Sequence, residues 1–85
     1  MKATVLVRPK EGILDPQGEA VEGSLQKLGF AVVNARVGRL VDIELDTDDP
    51  ELARVELDRM AHDLLANPLI ESFSIELQPA GGERT

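Results

Sequence analysis

Cysteine, tryptophan and tyrosine are absent from this chain, and histidine occurs once. The missing cysteine excludes a disulfide framework, a thiolate metal site and a thiol nucleophile. A single histidine excludes a histidine-rich zinc site. With two phenylalanines as the whole aromatic complement, there are almost no platforms for stacking nucleic-acid bases. Basic residues are also scarce, at 9 against 16 acidic ones, for a formal net charge of −7. Clustered Lys and Arg are what hold a phosphate backbone, so nucleic acid is a poor partner. The longest uninterrupted apolar run, Phe30 to Val33, falls far short of a membrane span. The first residues enter a strand-like pattern at once, without a signal-peptide apolar region, so a cytoplasmic location is expected.

What is present reads as one small domain. At 85 residues there is room for a single thin core. The scaling of surface with size predicts that roughly 60% of the chain's surface is buried on folding. Chains of this size often gain stability by oligomerising. Disorder is not expected, because 42% of residues are hydrophobic and they fall in periodic blocks.

Residues 3–9 alternate as a strand, with Ala3, Val5 and Val7 on one face, and Pro9 ends the ladder. Asp15 and Pro16 are an N-cap and first helical residue. Val21, Ser24, Leu25 and Leu28 then share a helix face, and Gly29 suits a left-handed C-cap. Glycines inside this helix, at 18 and 23, suggest close approach of another backbone or dependence on packing. In residues 31–45 the apolar positions 33, 35, 37, 41, 43 and 45 share one parity. A hairpin with a three-residue loop at Gly38 keeps them on one face; one long bent strand does so equally. Asp49 and Pro50 start the second helix, with Ala53, Leu57, Met60 and Leu64 as its stripe, widened by Ala61 and Leu65. Asn67 and Pro68 stop it. Leu69, Phe73, Ile75 and Leu77 alternate in the last strand. The expected fold is α+β, a two-layer β-α-β-β-α-β unit. Two helices cover one face of a mostly antiparallel four-stranded sheet. The domain spans residues 1–78, with 79–85 as a flexible tail.

Chemistry is sparse. His62 is the one side chain suited to proton transfer at neutral pH. It lies opposite the apolar stripe and is read as a surface residue four after Asp58. Asp46, Asp48, Asp49 and Glu51 lack the central glycine and distal glutamate of a calcium loop, and helix capping accounts for them. The loop from Gly12 to Gly18 lacks both the Lys-Ser/Thr pair and the glycine spacing of phosphate-binding loops. Two features point outward: Leu52 with Val55 on the second helix, and Leu6, Val32, Leu40 and Ile70 on the sheet's other face. Contiguous exposed apolar residues mark interfaces, so these are read as subunit contacts.

Three stretches carry a resemblance. Lys10-x-Gly12-Ile13-Leu14-Asp15-Pro16-Gln17-Gly18 is similar to the opening motif of the PurS family. Leu28-Gly29 and Arg36-Val37-Gly38-Arg39 continue it, with Arg39 where relatives usually have Lys. The stretch from Leu64 to Glu71, which includes Asn67-Pro68, resembles the family's LLANPVIE. Ala61 stands where many relatives have Cys. PurS is the small subunit of phosphoribosylformylglycinamidine (FGAM) synthase, a ligase of purine biosynthesis. The resemblance implies a non-catalytic subunit that self-associates as a dimer or tetramer. It would join a large synthetase subunit to a glutaminase subunit, so that ammonia from glutamine reaches the activated amide. No cofactor is expected on this chain, and ATP and magnesium belong to the synthetase. Lys10, Gly12, Asp15, Pro16, Gln17, Gly18, Arg36, Gly38, Arg39, Asn67, Pro68 and Glu71 are the candidate subunit contacts, since core packing does not require them. The competing expectation is a free-standing module that senses amino acids or nucleotides. It shares the element order and an Asp-Pro-Gly type loop, here interrupted by Gln17.

Overall fold

The computed structural model describes residues 1–78. The expected tail at 79–85 lies outside the described residues. Strand β1 runs Lys2–Pro9, helix α1 Pro16–Lys27, strand β2 Arg39–Glu44, helix α2 Pro50–Met60 and strand β3 Glu71–Gln78. The sheet is antiparallel, in the order β2-β1-β3.

The alternation in β1 fixes the core. Ala3, Val5 and Val7 are buried on one face. Register places Val5 between Val41 and Ile75, and Val7 between Arg39 and Phe73. Ala53 and Leu57 of α2 close over this face, with Ala61 and Ala66 beyond them. On the opposite face Thr4 is also buried, and its Oγ1 donates to Asp42 Oδ1 at 2.7 Å.

Three expectations are corrected. The described sheet has three strands, not four, and residues 37–41 form no hairpin. With Arg39 opposite Val7, the chain before β2 runs past the end of β1, where Pro9 offers no donor. Residues 31–37 therefore have no strand beside them, and residues 39–44 pair with β1 rather than folding back on 33–37.

The second correction concerns α1, which does not lie on the sheet beside α2. No residue of α1 belongs to the core cluster, and Gly18 is its one buried residue. Val21 is 42% exposed and Leu28 73%. The chain is correspondingly extended. Its radius of gyration is 16.0 Å, where a compact domain of this length would have about 12 Å.

The third correction is at the end of α2. Leu64, expected in the stripe, is 83% exposed. Ala61–Leu65 form a π-helical turn, closed by Ala66 N–H donating to the Ala61 carbonyl at 2.9 Å. The extra residue in this turn rotates Leu64 outward and leaves Leu65 half-buried.

The caps follow the sequence. Asp15 and Asp49 cap their helices with Pro at the next position, and Gly29 follows α1 at φ 94°. β3 starts two residues later than the alternation suggests. Asn67 accepts at its carbonyl from Ile70 and Glu71 N–H, at 3.1 and 2.7 Å, and its Oδ1 accepts from Leu69 N–H. Leu69 is thereby held in a turn.

Candidate functional site

The antiparallel pairs Pro9↔Glu71 and Val7↔Arg39 bring the ends of three segments to one end of the sheet. Residues 10–18, 35–39 and 65–71 meet there, so the three sequence motifs form one cluster.

Asp15 joins the first two segments. As the cap of α1 its carboxylate accepts from Gly18 N–H at 3.0 Å, and its other oxygen accepts from Val37 N–H at 2.9 Å. The Val37 and Gly18 amides hold this carboxyl below its ordinary range. Gly18 allows the contact. A Cβ there would lie 2.5 Å from the Ala35 carbonyl oxygen. This is the close backbone approach that a glycine inside the helix suggests, whereas Gly23 faces open space.

Arg36 ties the second segment to the end of β1. Its Nη2 donates to the carbonyls of Pro9 and Lys10, at 2.8 and 2.6 Å. Gly38 lies against the same strand, and a Cβ there would collide with the Val7 carbonyl oxygen.

The third segment is tied on by Lys10 and Arg39. Lys10 Nζ donates to the Pro68 carbonyl at 2.8 Å. The Arg39 guanidinium makes two 2.8 Å bonds to the Glu71 carboxylate and a third, of 2.7 Å, to the Leu65 carbonyl. Glu71 Oε1 also accepts from Asn67 N–H at 2.8 Å. Glu71 is therefore held below its ordinary carboxyl range, chiefly by Arg39, while Arg39 is raised. The guanidinium side is half-exposed, at 52%, and the carboxylate largely covered, at 15%. Such a bidentate pair fixes geometry as well as charge.

These candidate residues differ in what they leave free. The side chains of Lys10, Asp15, Arg36, Arg39 and Glu71 are engaged in joining the loops. Gly12, Pro16, Gln17 and Pro68 are exposed, beside the exposed Leu14 and Leu69. A cavity of about 210 Å³ opens between these groups, with Leu14, Gln17 and Ile70 in its wall. Sequence reasoning missed the Leu65 carbonyl as an anchor for Arg39. It also missed Arg8, although the parity of β1 already turns Arg8 away from the core, towards this end.

The remaining candidates stay apart from the cluster. His62 Nδ1 lies 3.2 Å from Asp63 Oδ1, not against Asp58. Asp49 Oδ1 accepts from Glu51 N–H at 3.0 Å, as a cap does. Among the described residues, no group of three or more His, Asp or Glu side chains gathers as a metal site.

Comparison with known proteins gives this arrangement its context. The family model of PurS, phosphoribosylformylglycinamidine (FGAM) synthase, matches residues 2–79. The PurS subunit of Methanocaldococcus jannaschii is 33% identical over 78 residues, covering 91% of this chain and 94% of that protein. Its crystal structure superposes with a TM-score of 0.81, covering 92% of this chain and 95% of the other. Thermus thermophilus PurS is 40% identical, with a TM-score of 0.77 and coverage of 92% and 96%. A chain in the structure of PurLQS from Thermotoga maritima is 26% identical, with a TM-score of 0.81 and coverage of 88% and 93%.

Fold and sequence together define a synthase subunit of the α+β class. The chain belongs to the PurS family of FGAM synthase. The expectation drawn from its three motifs is borne out, and a free-standing sensing module is not favoured.

Proposed function

We propose that this chain is the non-catalytic assembly subunit of an FGAM synthase in purine biosynthesis. It joins a large synthetase subunit to a glutaminase subunit, so that ammonia from glutamine reaches the activated amide of formylglycinamide ribonucleotide. The observation that carries this reading is the three-loop cluster. Its ionisable side chains are tied to backbone groups and to each other, which supports a shaped contact surface rather than an acid–base set. The PurLQS structure of the T. maritima relative supports the same partners. ATP and magnesium are assigned to the synthetase, and the location to the cytoplasm. Among the described residues, no helix is long and apolar enough to cross a membrane.

The subunit acts as a homo-oligomer, a dimer or tetramer. This is supported by the uncovered stripe of α1 and by the adjoining segment 31–37, where Val33 is 91% exposed. A second copy that covers α1 and pairs with the segment would complete what one chain leaves open.

The test is reconstitution with the synthetase and glutaminase of the same organism. Omitting this chain should abolish glutamine-dependent FGAM formation and spare formation from free ammonia. Gln17→Arg, at an exposed site whose side chain makes no hydrogen bond among the described residues, and Arg39→Glu should both weaken co-elution of the three subunits. Circular dichroism reports whether each variant remains folded. Full assembly and activity with both variants would overturn the contact assignment.

A further inference from the structure

The inner parity of β1 belongs to the core, so Leu6 and Arg8 face the other way. Register sets Leu6 beside Leu40, and Arg8 beside Ser72. On this outer face a cleft of about 640 Å³ opens at the clustered end of the sheet. Of the 9 basic residues in the sequence, Arg8, Lys10, Arg36 and Arg39 line it. Glu11 is the acidic residue in the lining.

The charges are not balanced from within. Arg39 is matched by Glu71. Lys10 donates to a carbonyl, which carries no net charge, and Arg36 donates to two carbonyls while lying near enough to Asp15 to help lower its carboxyl. The Arg8 side chain makes neither hydrogen bond nor ion pair among the described residues. In the lining, Arg8, Lys10 and Arg36 thus face one carboxylate, Glu11, with Asp15 near Arg36 outside it, in a chain whose net charge is −7. Gathering like charges is unfavourable unless an anion joins them.

We propose that this cleft binds a phosphorylated small molecule. Its phosphate would sit among Arg8, Lys10 and Arg36, and its less polar part on Leu6 and Leu40. Three arguments favour this over a carboxylate from a protein partner. A phosphate monoester carries up to two negative charges and three acceptor oxygens, whereas one carboxylate would leave cations unmatched. The cleft volume falls in the range of small-molecule sites. Leu6 and Leu40 line it together with the cations, which suits a ligand with a charged head and a less polar body.

The test uses the full-length, isotope-labelled chain and amide chemical-shift titration. The probes are inorganic phosphate, ribose 5-phosphate, AMP and a glutamate-rich peptide. Saturable shifts are expected at Val7, Arg8 and residues 38–40 with the phosphate probes, AMP binding tighter than inorganic phosphate. Arg8→Gln breaks no internal bond and should weaken AMP binding by about tenfold. Arg59→Gln, on the far helix, should leave it unchanged. Three results would overturn the proposal: no saturable shift with any phosphate probe, equal weakening by both variants, or saturation by the acidic peptide alone. Assembly and glutamine-dependent activity are read in a separate assay, so either reading can fail without the other.

Discussion

The sheet with α2 and the arm made of α1 and residues 28–38 carry similar apolar patterns, yet only the first closes within one chain. In the sheet, the period of two in β1 meets the helical stripe of Ala53 and Leu57, and all of these are buried. In the arm, Val21 and Leu28 form an equally regular stripe and remain exposed. The difference lies in attachment. The arm is fixed to the sheet by polar groups at its base: Asp15 to Val37, and Arg36 to Pro9 and Lys10. Hydrogen bonds of this kind set direction but bury little apolar surface. A patterned surface left open at this scale belongs to an association.

The sharpest way to separate the two regions is Leu57→Ala. Leu57 is fully buried, so the change should cost about 2–5 kcal/mol in urea unfolding. Next is the joint between the regions. Gly38→Ala drives a Cβ into the Val7 carbonyl and should cost about 1–3 kcal/mol, read as a lower melting temperature. In the arm, Leu28→Asp should leave the helical signal of α2 intact but weaken self-association by about tenfold or more in sedimentation. Unaltered self-association would remove the contrast, because the arm would then be a solvated surface.

Acid should loosen the joint before the core. Asp15 and Glu71 both titrate below their ordinary values of 3.8 and 4.5 in the folded chain. An unfolded chain therefore takes up these protons first as pH falls. Their contribution is complete above the ordinary values and is lost as pH drops through the lowered ones. Melting curves between neutral pH and about pH 3 should show this loss, and Asp15→Asn should flatten it. The smallest effect belongs to the outward strip of α2. Val55→Ser should change stability by less than about 0.5 kcal/mol.

Local features were legible in the sequence because their causes are local. An Asp-Pro pair starts each helix, and the parity of β1, β2 and β3 names their inward residues. What could not be read was whose surface each stripe meets. The positions 33, 35 and 37 share parity with 41, 43 and 45, and this is satisfied by a hairpin, by a long strand, or by β1 taking only 39–44. Leu64 was misplaced because the stripe assumes α-helical spacing and a π-turn intervenes. The candidate residues were legible as motifs, but their meeting was not. It depends on the register that sets Pro9 across from Glu71 and Val7 across from Arg39. Arg8 was within reach of the same parity argument, because a basic residue on the outward face of a central strand is seldom a packing choice.

The position of β1 has a consequence for how the chain is made. It precedes β2 and β3 in the chain, yet it is the middle strand, and Lys2 pairs with both Glu44 and Gln78. During translation one edge of β1 stays open until β2 emerges, and the other until β3 does. Pairing across so long a separation is slow, and open edges invite other chains. The edge that β3 covers thus stays open longest, until Glu71–Gln78 has been made.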